Sequence, residues 1–234
     1  MPGVSGLIKV GHKGADAIVP GNTLASFDAA VRAGVDMIEF DVLCVDHDDP
    51  AGSRLVLAHD YSCDLAAAPS LEAGLDHLAT LGLPLDVDLK LAGYEDRVLA
   101  ALAERDLLAQ TLISSMERSS LRALRALDPS VTLGWSVPRA RRDYTASLLF
   151  ALPVAGALAV GRETFPRRAG IELRAGFCDA IMAFHRLVTP RLARTVREAG
   201  GELYAWTVDS AADIARLEAM GVTGVITNDP RLFD

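Results

Sequence analysis

The chain has 234 residues, half of them apolar, which fits one large domain or two small ones. Its formal net charge of −8 argues against a general nucleic-acid-binding face, while a local positive pocket for an anion remains compatible with it. No apolar run reaches the ~18 residues of a membrane span, and no basic-then-apolar leader precedes the first strand, so a cytoplasmic protein without membrane contact is expected.

From the N-terminus, "GLIKVGH" reads as a strand. "NTLASFDAAVRAG" reads as a helix capped by Asn22 or Thr23 and stopped by glycine. "VDMIEFDVLCV" is a second strand, and "SRLVLAHD" a short strand that forms a hairpin with its end. "SLEAGLDHLATLG" is a helix capped by Ser70 and ended by Gly82. "LPLDVDLK" is a strand followed by the helix "YEDRVLAALAERD"; "TLISSM" is a strand followed by "RSSLRALRALD". "VTLGWSV" is a strand that leads into a mostly helical stretch from about Tyr144. Residues 150 to 178 give the weakest pattern, with 146–160 reading as a buried helix and strand. "CDAIMAF" is a strand, "TPRLARTVREAG" a helix with Thr189 as cap and Pro190 at its first position, "GELYAWTV" a strand, "SAADIARLEAMG" a helix and "VTGVITN" a last strand.

Apart from the hairpin strand, eight strand–helix units follow one another, which predicts a single-domain (β/α)8 TIM barrel. An open doubly wound sheet is the second choice, weakened because no G-x-G-x-x-G follows the first strand. Cys44, Cys63 and Cys178 are odd in number and lack zinc spacing, so three reduced thiols are expected.

Active sites of such barrels lie at the C-terminal strand ends. The polar residues collect there: His12 and Lys13, Glu39 and Asp41, His59 and Asp60, Asp88 and Lys90, Ser114 and Ser115, Trp206, Thr227 and Asn228. Strand residues two apart share a face, so Glu39 aligns with Asp41 and Asp88 with Lys90. Carboxylates on one face repel and lose hydration, and a hard divalent cation on Glu39, Asp41 and Asp88 would offset that cost. Pairing with lysine or arginine is the bland reading. Asp86, one step deeper, reads as a buried hydrogen-bonding residue. His12 and His59 form the natural acid–base pair. His47 reads as solvated, His77 lies mid-helix, and His185 follows the sixth strand and could reach the rim but carries no partner motif.

These residues resemble the glycerophosphodiester phosphodiesterase family. The matching segments are "HKG" (12–14), "PGNT" (20–23), "EFD" (39–41), "HD" (59–60), "DLK" (88–90), "WTV" (206–208) and "GVTGVITNDP" (221–230). They run in order along nearly the whole chain, so residues 1–234 read as one such barrel domain. The resemblance implies hydrolysis of a small phosphodiester to a glycerol-3-phosphate-type product and an alcohol. It implies a divalent cation, Mg²⁺ or Ca²⁺, held by Glu39, Asp41 and Asp88. His12 and His59 would be catalytic, and Lys13, Lys90 and Trp206 would contact the substrate.

Four departures stand out. Lys13 replaces the usual arginine, Gly21 the usual glutamate of the Pro-Glu-Asn-Thr segment, and Asp88 the usual third glutamate. The insertion that usually follows the His-Asp segment is shortened. Two alternatives follow: a barrel that binds diesters without turnover, and an enzyme similar to sphingomyelinase D that acts on lipid.

Overall fold

Strand β1 (Ile8–Gly11) pairs in parallel with both β2 (Met37–Cys44) and β9 (Gly224–Thr227), so the sheet closes on itself. The computed structural model describes residues 6–138 and 151–233. Around the barrel the parallel strands run β1, β2, β4 (Leu85–Leu89), β5 (Thr111–Ser115), β6 (Thr132–Val137), β7 (Ala180–Phe184), β8 (Glu202–Trp206) and β9. This is the (β/α)8 barrel expected from the alternation of elements, and all eight predicted strands are present.

The short β3 (Leu55–Leu57) is the antiparallel exception, pairing Leu57 with Val42 and Leu55 with Cys44. Val42 also pairs with Leu89 of β4. β3 therefore lies on the other edge of β2, the edge that β1 uses lower down at Met37 and Ile38. This geometry brings the end of β3, with His59, back to the rim above the end of β1.

The helices begin where side-chain oxygens satisfy free backbone donors. Thr23 accepts from the Ser26 N–H at the start of α1 (Leu24–Arg32), and Ser70 from the Ala73 N–H at α2 (Leu71–Leu81). α3 spans Glu95–Ala103 and α4 Arg118–Leu127. α5 runs Ala151–Arg174. Thr189 and Ser210 cap α6 (Pro190–Glu198) and α7 (Ala211–Ala219). In place of the expected buried helix and strand, the described part of the 146–160 stretch is helix from Ala151 onward, with no strand, and Val160 is exposed. The remainder, with the predicted helix start near Tyr144, lies outside the described residues. No helix among the described residues is long and apolar enough to cross a membrane.

Side chains alternate along each strand, and the two sets have different neighbours. Ile38, Phe40, Val42, Val87 and Leu89 face the helices and join the large outer core. Val10, Met37, Leu112, Met182, Tyr204 and Ile226 point inward and plug the barrel base. Two residues further along, the inward set turns polar: His12 above Val10, Glu39 above Met37, Ser114 above Leu112. The apolar plug is thus the floor on which the polar groups stand.

Candidate active site

A cavity of about 110 Å³ opens at this polar layer, and His12, Glu39, His59, Asp88, Lys90 and Trp206 all line it. Asp86, Ser114, Ser136, Met116, Met182, Thr207 and Ile226 complete the wall. Asp41 is fully buried at its edge. Glu39, Asp41 and Asp88 each offer a ligand oxygen within 4.8 Å of the others. Three acceptor-only carboxylates at that spacing fit a hard cation.

Between the stretches paired to β1 and β3, the edge of β2 is served by the loop from His12 to Thr23. The Gly14 N–H donates to the Glu39 carbonyl (3.1 Å). The Asn22 side chain accepts from the Asp41 N–H (3.0 Å) and donates through Nδ2 to Asp41 Oδ2 (2.8 Å). Asn22 is buried and left-handed, at φ 56°. It closes a two-way clamp that leaves the other Asp41 oxygen for the site. Sequence reasoning placed Asn22 only at a helix cap, although Thr23 does the capping.

His12 is fixed from behind. Its Nδ1 lies 2.6 Å from Asn228 Oδ1, while Asn228 Nδ2 donates to Asp209 Oδ2 (2.7 Å) and the Asn228 N–H to Asp209 Oδ1 (2.9 Å). A carboxylate only accepts, so the amide oxygen must face His12 and the imidazole proton sits on Nδ1. Nε2 is then an acceptor directed to the site, 3.9 Å from Glu39 Oε2. Burial lowers the His12 pKa to about 4, so the ring is neutral near pH 7. Asp209 directly follows the "WTV" segment, the one sequence signal that could have drawn attention to it.

His59 has a carboxylate behind it instead. Its Nδ1 lies 3.0 Å from Asp60 Oδ2, and its side chain is half exposed. Hydrogen bonds from Ser62, then from His59, hold the Asp60 carboxyl down at about 2. His59 lines the cavity from its solvent side.

Lys90 is the ammonium inside the acid cluster. Nζ is 2.5 Å from Asp41 Oδ1 and in contact with Asp88 Oδ2. The pairing with lysine weighed from sequence is therefore present, in the same residues that could hold a cation. Burial alone would lower the Lys90 pKa, but Asp41, Asp88 and Glu39 raise it well above the usual range, so it stays charged. Burial likewise pushes the Asp41 carboxyl up, yet Lys90, His59 and His12 together hold it far below its ordinary value. Burial and then Asp41 push Glu39 up. Burial also raises Asp88, against the pull of Lys90.

Asp86 pairs in register with Glu39 on one side and Leu112 on the other, so it borders the apolar plug. Burial pushes its carboxyl up to about 8, and its Oδ1 has no hydrogen-bond partner.

The remaining predicted residues are placed as follows. Trp206 donates its indole N–H to the Met182 carbonyl (2.8 Å), which leaves the ring as an apolar wall. Lys13 reaches the loop edge and not the cavity wall: its ammonium pairs with Asp16 at 3.2 Å, while its N–H donates to Glu39 Oε2 (2.8 Å). His47 is exposed, and His77 pairs with Asp28 outside the barrel. His185 follows β7 with a buried, unpartnered Nδ1.

Known proteins share this arrangement of strands and segments. A glycerophosphodiester phosphodiesterase of Caldanaerobacter subterraneus subsp. tengcongensis is 24% identical over 94% of this chain and 93% of its own length. A glycerophosphodiester phosphodiesterase structure from Agrobacterium tumefaciens str. C58 superposes with a TM-score of 0.72 at 19% identity, covering 97% of this chain and 98% of that one. A phosphodiesterase from Oleispira antarctica, solved with the product sn-glycerol-3-phosphate, has a TM-score of 0.69 at 20% identity, covering 95% of this chain and 93% of the other. The sequence model of the glycerophosphoryl diester phosphodiesterase family matches residues 12–64 and 74–232, nearly the whole barrel. The chain belongs to that family of phosphoric diester hydrolases.

Proposed function

We propose that this barrel hydrolyses glycerophosphodiesters, or similar small phosphodiesters, to an sn-glycerol-3-phosphate-type product and an alcohol, with a bound Mg²⁺ or Ca²⁺. The observation that carries this reading is one cavity holding two histidines, each with Nδ1 committed to an acceptor, beside three carboxylates spaced for a cation. The Oleispira antarctica relative, solved with sn-glycerol-3-phosphate, supports the choice of substrate class.

Glu39, Asp41 and Asp88 would hold the cation. Bound there, it would neutralise charge on the phosphate oxygens as the attacking oxygen adds. Lys90 faces the same cavity and adds a fixed positive charge for the diester anion. Neutral His12 accepts through Nε2 a proton of the attacking water. His59, in exchange with solvent, donates a proton to the departing alkoxide. One proton enters the protein as another leaves, and the P–O bond to the alcohol breaks as the new one forms. Trp206 walls one side of the cavity. A short loop joins His59-Asp60 to α2 at Leu71, the length a barrel with a reduced insertion there would have.

The test is release of choline and sn-glycerol-3-phosphate from glycerophosphocholine by the purified protein, with and without EDTA, beside His12→Ala and His59→Ala. Turnover that EDTA and either variant abolish is the expected result. No cation-dependent turnover of any small diester would overturn the reading.

A further inference from the structure

The cavity has two unlike halves. His12, Glu39, Asp88 and Lys90 stand on or just beyond β1, β2 and β4 and give one half its charged and polar groups. Met182, Trp206 and Ile226, on β7, β8 and β9, give the other half an apolar wall.

At the mouth this wall ends in two aromatic rings. Strand residues two apart share a face, so Phe184 stands above the inward-facing Met182. Phe184 pairs in register with Trp206, and each is the last residue of its strand. The ring centroids are 5.7 Å apart with the planes at 51°, so the pair forms an open corner and not a stack. Both residues are partly exposed. The Trp206 indole N–H is committed to the Met182 carbonyl, so the ring has only its π face to offer a ligand.

Trp135, on the helix side of the barrel, shows the contrast. Arg118 and Arg168 lie over its ring at 4.6 and 4.9 Å. Among the described residues no lysine or arginine lies over Phe184 or Trp206. Aromatic faces attract a cation through their quadrupole, and a quaternary ammonium, with no N–H to leave unpaired, is the cation such a corner suits best.

We propose that Phe184 and Trp206 form a subsite for a quaternary ammonium carried by the departing alcohol, with Phe184 as a specificity-determining residue. That the cation belongs to the alcohol rests on the phosphodiesterase reading; the subsite itself rests on the two rings. His59 protonates the alcohol from the solvent side, so the alcohol arm points to the mouth, where the rings stand. In a choline ester only two carbons separate the ammonium from the ester oxygen. Ring and reacting centre need share only one cavity, as Trp206 and His12 do.

Two measurements test this. The first is calorimetric titration of tetramethylammonium into the purified protein, Phe184→Leu, Phe184→Tyr and Trp206→Leu, with circular dichroism to confirm the fold. The parent should bind, both leucine variants should bind about fivefold more weakly, and Phe184→Tyr, which keeps a ring, should match the parent. The second compares kcat/KM for glycerophosphocholine, its 3,3-dimethylbutyl isostere with carbon in place of nitrogen, and glycerophosphoethanolamine. The parent should favour the choline ester about tenfold over both, and Phe184→Leu should lose most of that preference. Absence of tetramethylammonium binding, or equal binding by all four proteins, overturns the proposal. So does equal turnover of the choline ester and its neutral isostere by the parent, a comparison that needs no variant to fold. Ring-dependent tetramethylammonium binding without turnover of any diester would count against the phosphodiesterase reading and leave the cation subsite standing.

Discussion

His12 Nδ1 stands 2.6 Å from the side-chain oxygen of Asn228, so a side-chain hydrogen bond joins the ends of the first and last strands. The orientation of that amide depends on Asp209, which accepts from Asn228 Nδ2 and from the Asn228 backbone N–H. Replacing Asn228 with leucine removes the group that selects the His12 tautomer. A loss of about 10²-fold in kcat is expected, the scale of a displaced general base. Asp209→Ala frees the amide to rotate and should cost about tenfold. Melting temperatures distinguish the cause: both variants should melt within a few degrees of the parent, since neither contact lies in the apolar core.

The low pKa of His12 sets an acid limit. Burial holds it near 4, below the ordinary histidine value. The imidazole therefore stays a base well below neutrality, and its ring-proton NMR titration should have a midpoint near pH 4. The same shift affects stability. As pH falls below the ordinary value, the unfolded chain takes up this proton first, so the folded state loses stability until pH drops through about 4. A midpoint near that of free imidazole would contradict the burial argument.

Asp86 should cost stability in its ionised form. Its folded pKa is raised to about 8, so between the ordinary carboxyl value and that pH the folded state holds a proton the unfolded state has released. Stability falls as pH rises through that window. Asp86→Asn keeps the shape and removes the titration. With EDTA present, the variant should melt several degrees above the parent at pH 8, and the gap should close near pH 4. Parallel melting curves across the range would show that this carboxyl is not the cause.

The three thiols separate by burial. Cys63 is exposed, whereas Cys44 and Cys178 are buried, and burial pushes the Cys178 thiol up to about 12. One thiol per chain should react quickly with Ellman's reagent in the folded protein, and Cys63→Ser should remove that phase. The other two should react only in denaturant.

Much of the barrel was legible because parallel strands covered on both faces read as β-branched apolar runs, and because polar residues two apart must share a face. Glu39 with Asp41 and Asp88 with Lys90 follow from that parity alone. The supports of the site were not legible. Asn22 meets Asp41 across nineteen positions, and Asp209 meets Asn228 across nineteen. No local period encodes such contacts. The contact of the Gly21 N–H with the Asp16 carboxylate was hidden because a turn glycine has ordinary local reasons to exist. The 151–174 helix was obscured by small apolar residues at its start, which fit a buried strand or a helix equally, and by an internal Pro166.

One consequence follows from β3 sitting on the edge of β2 that β1 uses lower down. Both histidines enter from strands measured against the same strand, with residues 39–41 between them, so β2 acts as a ruler for the gap between them. Loop length does not enter that measurement. Residues can be added between Asp46 and Ser53, or between Tyr61 and Pro69, without changing the separation of His12 from His59. A slip of one residue in β2 would change it at once, and would turn Glu39 and Asp41 outward in the same movement. The loops above this cavity can therefore change length while the spacing below them stays the same.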